Sequence, residues 1–397
     1  MQGFMGAFPQ YAANGIHING QSYGGHYAPV FANYIAQQNK LNTSGTVHLP
    51  LKSIIIEDGF MDTREQFAAY YNYSVNPGNP YDLAPYNETL QQQLFSNMFG
   101  PGGCQDQQKA CNDNPTDAGC KSAENFCVSK VEEFWDNNVG RSENDIRLIA
   151  PDPFPPTDFV AYLNQAEIQA AIGASNNFTP ASVQTFLAFD STGDDSRTGE
   201  LVTQSMRDLL QQGITVALFT GDADYDSNMI GAQAVAANVG AAGWGDAGFV
   251  NLSANSDGQI PGQTKQADGF SFTRLYFAGH ASVFNQPEAT QRIQQRAVAG
   301  LDIATGKTAM ALGRNTTTKG TRESTFREGS ATVQLQKTPP DAVYDPITHV
   351  PVRSNISAMA QRTLRTKLAV GELTPHPLAG FTAKKIRRMV YGNWQRP

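Results

Sequence analysis

The hydrophobic period of the chain changes twice within its first sixty residues. "GIHING" (15–20) alternates apolar and polar positions and closes on a glycine, which predicts a short strand. Beyond Ser22 the apolar residues Tyr27, Val30, Phe31, Tyr34 and Ile35 recur at helical spacing, so an amphipathic helix is expected there. The pattern then becomes continuous. "LKSIIIEDGF" (51–60) sets Ile54, Ile55 and Ile56 in a row, as suits a parallel strand buried on both faces. Strand, helix and strand in this order imply a right-handed crossover.

Residues 63–150 break the rhythm with Asn-, Gln- and Pro-rich text and read as an insertion folded over the sheet. The pattern resumes at "YLNQAEIQAAIG" (162–173), a short helix ending on Gly173. "ELVTQSMRDLLQQG" (200–213) is a second helix, stopped by Gly213, and it feeds the strand "ITVALFTGDAD" (214–224). A last strand is expected in "RLYFAGH" (274–280), ahead of a helix beginning after Pro287. The fold class expected is α/β, a mostly parallel sheet with helices on both faces. From about Gly306 the text turns polar and weakly periodic, and 362–397 is basic. The division expected is therefore a domain over 1–305, interrupted at about 63–150, and a solvated C-terminal extension over 306–397.

A chain of 397 residues can bury a sizeable core. A formal charge of −7 and a pI near 5.4 argue against nucleic acid as a main partner, since phosphate binding needs a basic surface. No apolar run approaches the roughly 18 residues of a membrane span. The opening "MQGFMGAFPQ" has neither the basic nor the sustained apolar region of a signal peptide.

Cysteine usage points the other way. Cys104, Cys111, Cys120 and Cys127 share one Gly/Asn/Asp-rich stretch, at gaps wider than the pairs usual for zinc. Two local disulfides are expected. Of three possible connectivities the nested one, Cys104 with Cys127 and Cys111 with Cys120, is preferred, and the alternative is four free thiols in a reducing compartment. Seven N-x-S/T sequons, at Asn42, Asn72, Asn87, Asn177, Asn251, Asn315 and Asn355, join the cysteines in favouring a secreted or vacuolar glycoprotein. A secretory protein with no visible leader leads to the expectation that an N-terminal segment is missing.

The candidate chemistry lies at Gly20-Gln21-Ser22-Tyr23-Gly24. It matches G-x-S-x-G with a strand before it and a helix after it, the context in which a serine is forced into an exposed, strained turn. A serine hydroxyl needs a base, and the base needs an orienting acid. In α/β-hydrolases these follow in the order Ser, Asp or Glu, His, each after a later strand. "GDADYDSN" supplies Asp222, Asp224 and Asp226, and "RLYFAGH" ends in His280. His17 lies in the strand before the serine and His26 on the helix after it, and both fit the order badly as the base.

These blocks, "INGQSYGGHYAP", "GDADYDSNMIG" and "AGHASVFNQPE", resemble the three catalytic blocks of the serine carboxypeptidases, particularly the fungal ones, over about residues 4–305. The resemblance implies an α/β-hydrolase fold with a disulfide-bearing insertion. It places the nucleophile on Ser22, the aspartate on Asp224 (with Asp222 the competing orienter) and the base on His280. It assigns an oxyanion donor to the N–H of Tyr23 and substrate contacts to Gln21, Ser227 and Asn228. The implied reaction is hydrolysis of C-terminal peptide bonds through an acyl-enzyme, with peptides bearing a free C-terminal carboxylate as substrate and no metal or cofactor. An esterase or acyltransferase with the same triad, or an inactive truncated homologue, are the alternatives.

Departures from the family pattern are specific. Gln21 stands where a glutamate is usual, and an amide donates a hydrogen bond at any pH, which predicts an optimum nearer neutrality. Ala281, Ser282 and Val283 follow His280 in place of the usual residues, and Glu57 and Asp58 replace small and amide residues. The N-G-G-P-G segment of the family, which supplies half of the oxyanion hole and precedes the nucleophile, is not found. The first strands of the family's sheet are accordingly expected to be missing.

Overall fold

The computed structural model describes residues 1–81, 83–150, 158–310, 316–322, 324, 342–344 and 351–353. Its main sheet has six strands: β1 (Ile16–Gln21), β2 (Leu51–Glu57), β3 (Thr215–Gly221), β4 (Val250–Asn251), β5 (Gly262–Ala267) and β6 (Phe270–Leu275), in the order β1-β2-β3-β6-β5-β4. The first four strands of that order are parallel; β5 is antiparallel to β6, and β4 is antiparallel to β5. Among the described residues β1 is an edge strand. A separate two-stranded ribbon pairs Ala342–Tyr344 with Pro351–Arg353.

The isoleucine run shows why the sheet is covered twice. Successive side chains of a strand point to opposite faces. Ile54 and Ile56 pack with Val216, Leu218, Phe270 and Phe272 into one core, and Ile55 joins Ala217 and Phe219 in another. Helices α2 (Gly24–Leu41), α11 (Asp194–Gln211) and α12 (Met229–Val239) cover the first face, and α14 (Pro287–Ala299) covers the second through Ala289, Ile293 and Ala297. Each fully buried isoleucine contributes about 1.5–3 kcal/mol.

The remaining helices are α1 (Gln2–Ala7), α3 (Thr63–Ser74), α4 (Glu88–Phe99), α5 (Cys104–Asp113), α6 (Asp117–Cys127), α7 (Phe134–Asn138), α8 (Asp158–Leu163), α9 (Ala166–Ile172), α10 (Val183–Asp190) and α13 (Ser282–Asn285). The stretch at 63–150 is thus helical over much of its length. Helices α5 and α6 form a hairpin joined by both expected disulfides, Cys104–Cys127 outside and Cys111–Cys120 inside. An aromatic core of Phe67, Tyr70, Tyr73, Tyr81 and Trp135 lies beneath them and includes Tyr225 from the loop after β3. Several boundaries differ from expectation: the helix expected over 200–213 is α11, already begun at Asp194, and the strand expected over 214–224 ends at Gly221. The pattern over 162–173 divides into α8 and α9, and the last strand ends at Leu275, so that Tyr276–His280 is a turn rather than strand.

That turn is fixed by a buried carboxylate. Asp222 accepts hydrogen bonds from Tyr81 Oη (2.6 Å) and the Phe277 amide (2.9 Å) and is paired with Arg274 (3.3 Å), all inside the protein. Deleting one member of such a buried pair costs about 3–5 kcal/mol. Asp222→Ala is expected to lower the unfolding free energy by about that much, measured as a reduced urea midpoint.

Candidate active site

Because β1, β2, β3 and β6 run parallel, their carboxyl ends lie on one rim of the sheet. Ser22 follows β1, Glu57 ends β2 and Asp58 follows it, Asp224 stands three residues past β3, and His280 five past β6. Backbone strain gathers on the same rim. Ser22 (φ 56°), Asp58 (φ 42°) and Phe277 (φ 54°) all adopt left-handed conformations without being glycine, each at a cost of about 1–2 kcal/mol. Such outliers persist only where surrounding contacts over-determine them.

The Ser22 turn is held on both sides. Its N–H donates to the Glu57 carbonyl (3.0 Å), and its own carbonyl accepts from the amides of Gly25 (2.8 Å) and Phe60 (2.9 Å). Gly20 is required by the close approach of the chain to itself, since a Cβ there would lie 2.6 Å from the Gly24 carbonyl oxygen. Tyr23 caps α2, and its hydroxyl donates to Asp195 at the start of α11 (2.5 Å) while its ring stacks on His26 at 4.8 Å. Burial and the carboxylates of Asp195 and Asp194 push the Tyr23 phenol far above its ordinary pKa.

Asp224 and His280 meet in the interior, with Nδ1 of the imidazole 2.9 Å from Oδ2 of the carboxylate and both residues almost wholly buried. Asp222 does not reach this histidine; its carboxylate is committed to Tyr81, Phe277 and Arg274. His17 instead contacts Ser53 (2.7 Å), and His26 contacts the Phe60 carbonyl (2.7 Å). Burial by itself lowers the pKa of His280, but the charge and hydrogen bond of Asp224, with Asp226 and Asp58 beyond it, outweigh burial and hold the imidazole above its ordinary 6.5. Burial likewise raises the Asp224 carboxyl, against the opposing pull of His280.

The backbone around this pair is gripped by the insertion. The amide of His280 donates to the Asn144 carbonyl (2.7 Å), those of Tyr225 and Asp226 donate to the Glu143 carbonyl (2.9 and 3.1 Å), and that of Ile146 donates to the Ala223 carbonyl (2.9 Å). Gly221 lets the turns that carry Asp224 and His280 come this close, because a Cβ there would lie 2.4 Å from the Ala278 carbonyl oxygen. This role of residues 143–146 carries no motif and was not readable in the sequence.

The remaining candidate residues have different surroundings. Gln21 Nε2 donates to the carbonyl of His280 (3.0 Å). Ser227 is buried, and its hydroxyl has no hydrogen-bond partner among the described residues. Asn228 is the N-cap of α12, accepting from Gly231 N (3.1 Å) and donating to the Tyr225 carbonyl (3.2 Å), so its amide is used within the fold. The sequon asparagines Asn42, Asn87, Asn177 and Asn251 are exposed and Asn72 is half-buried, while Asn315 and Asn355 lie outside the described residues. Among the described residues no cluster of His, Cys, Asp or Glu is arranged to hold a metal ion, and no helix is long and apolar enough to cross a membrane.

Glu57 and Asp58 are the surprise of the rim. Glu57 Oε1 accepts from the Ser282 hydroxyl (2.9 Å) and the Val283 amide (3.1 Å), just past His280. Asp58 Oδ1 accepts from the Gly221 amide (2.7 Å). Burial raises both carboxyls; for Asp58 the neighbouring Asp224 and Glu57 add to it. Two acidic residues directly after three buried isoleucines were the available sequence signal.

The serine carboxypeptidase family profile matches residues 1–300. The chain is 33% identical over 345 residues to carboxypeptidase S1 homolog A of Arthroderma otae, an alignment covering 80% of this chain and 52% of that protein. It is 30% identical over 302 residues to carboxypeptidase S1 of Penicillium janthinellum, covering 74% and 69% respectively. It therefore spans about half the length of the Arthroderma relative. In fold it resembles Kex1Δp, a prohormone-processing carboxypeptidase from Saccharomyces cerevisiae, with a TM-score of 0.54 and 19% identity over 75% of this chain and 65% of that one. The α/β-hydrolase sheet, the strained serine turn and a profile match over three quarters of its length together establish that the chain belongs to the serine carboxypeptidase family.

Proposed function

We propose that the chain carries the chemistry of a serine-type carboxypeptidase acting on peptides with a free C-terminal carboxylate. The observation that carries this reading is the buried hydrogen bond of His280 to Asp224 on the rim where the strained Ser22 turn ends. Ser22 Oγ attacks the last peptide carbonyl while His280 Nε2 takes its proton. The Tyr23 N–H, at the start of α2, donates to the developing oxyanion. As the C–N bond breaks, His280 returns the proton to the leaving amine and an ester to Ser22 remains. Water, deprotonated by the same imidazole, then releases the peptide acid. Asp224 fixes the tautomer that carries Nδ1–H and stabilises the imidazolium.

Ser227 supplies a buried hydroxyl suited to a substrate group, and Gln21 keeps a second amide hydrogen beyond the one given to His280. The two disulfides, with the exposed sequons, support an oxidising secretory route ending outside the cell or in the vacuole.

Ser22→Ala and His280→Ala are each expected to lower kcat by roughly 10⁴- to 10⁶-fold. Stoichiometric labelling of Ser22 by a fluorophosphonate is expected in the unaltered protein and should vanish in Ser22→Ala; an unlabelled parent chain overturns the reading. A blocked dipeptide should turn over faster than its C-terminal amide, and the opposite preference would assign the triad to ester or acyl-transfer chemistry.

The base must be neutral to act, and a raised His280 pKa keeps it charged to higher pH. The acidic limb of the kcat/KM profile is therefore expected above pH 6.5, with activity appearing as pH rises through it. Asp224→Asn removes the stabilising charge, so the limb should move down in pH while kcat falls about 10⁴-fold. In Gln21→Glu the bond to the His280 carbonyl survives only while the new carboxyl is protonated. Its activity maximum should consequently shift to lower pH, as read from parallel pH profiles.

A further inference from the structure

We infer that Glu57 is a positioning residue for His280, acting with its register partner Gln21 as a clamp on the turn that carries the imidazole; the inference rests on the peptidase reading above. Gln21 and Glu57 are paired residues at the last rungs of β1 and β2. From there Gln21 donates to the His280 carbonyl (3.0 Å), and Glu57 accepts from the Ser282 hydroxyl (2.9 Å) and the Val283 amide (3.1 Å). The peptide is thus held at positions 280, 282 and 283 by adjacent strands of the sheet. Asn285 adds a bond within the same turn, from the Gly279 amide to its Oδ1 (2.9 Å).

The location of Glu57 argues for a role beyond solubility. Its side chain is buried, Ser282 is fully buried, and a carboxylate in such a place is costly unless its hydrogen bonds are needed. His280 reaches the rim from a strand three places away from β1 in the sheet, beyond β2 and β3. Glu57 supplies two of the bonds that tie the turn after His280 to the β1–β2 side of the rim, beside the one from Gln21. A displacement of about 1 Å in a reacting group costs on the order of 10²-fold in rate. The charged and titratable groups around Glu57 are Asp58, next to it in the chain, and His280 on the turn it holds; Asp224, from the loop after β3, acts on Asp58.

The test compares Glu57→Ala, Glu57→Gln and Ser282→Ala in the full chain, by steady-state kinetics and by the NMR signal of the His280 Nδ1 proton. Glutamine keeps Oε1 as acceptor for both bonds, so Glu57→Gln should stay within about threefold of the parent kcat and retain the Nδ1 signal. Glu57→Ala should lose about 10- to 100-fold in kcat with KM within threefold, and its Nδ1 signal should broaden or shift. Ser282→Ala removes one of the two bonds and should fall between them, which keeps the test decisive should Glu57→Ala fail to fold. The inference is overturned if Glu57→Gln is as impaired as Glu57→Ala, or if Ser282→Ala matches the parent in both readouts. Absence of fluorophosphonate labelling in the parent would sink the peptidase reading instead, and the Nδ1 signal would still report on the clamp.

Discussion

The hydrogen bond between His280 Nδ1 and Asp224 Oδ2 joins residues 56 positions apart and lies almost entirely out of water. An interior carboxylate and imidazole are tolerated only when each is oriented and paired, because an uncompensated charge in that environment costs several kcal/mol. The rest of the architecture can be read as the apparatus that meets this condition. Parallel strands bring the two turns to one rim, Gly221 allows them to approach, and backbone amides are spent on holding them.

The surrounding carboxylates sharpen the constraint. Glu57, Asp58, Asp222, Asp224 and Asp226 crowd the strand ends, and like charges at such distances cannot all ionise cheaply. Each is handled differently. Asp222 is matched to Arg274 and to a tyrosine hydroxyl, Asp224 to the imidazole, and Glu57 to a hydroxyl and an amide. Asp58 accepts one amide and keeps its second oxygen buried without a partner among the described residues. Burial and its anionic neighbours favour the protonated form there.

What the sequence revealed follows from how local each signal is. The serine turn was legible because glycine, strand and helix are adjacent in the chain, and the isoleucine run because continuous apolarity requires cover on both faces. The pairing of a carboxylate with an imidazole could be anticipated too, as Asp224 and His280 each sit just past a hydrophobic strand. Asp224 was preferred to Asp222 on the family pattern; in the structure Asp224 contacts His280, while Tyr81 and Arg274 occupy Asp222. The end of β6 was misplaced because "RLYFAGH" stays apolar through a turn whose residues are buried by tertiary contacts. Polar text over 63–150 concealed helices whose stability comes from a distant aromatic core. Glu57 was noticed as an anomaly, but its partners lie 225 and 226 residues away and no local pattern could name them.

That aromatic core ties the insertion to the chemistry. Tyr70 and Tyr73, on α3, donate hydroxyls to the carbonyls of Asp226 and Asp222, on either side of Asp224. Trp135 stacks on Tyr225, the residue immediately after Asp224, at 4.6 Å between ring centroids. A loop after a strand would ordinarily be among the more mobile parts of a fold. Here it is held by tyrosine hydroxyls on one side and by the Glu143 carbonyl and the Ile146 amide on the other. Since the disulfide-bonded hairpin α5–α6 packs within this same helical layer, through Cys104 and Cys127, the insertion is better understood as a second wall of the Asp224–His280 site than as decoration on the sheet.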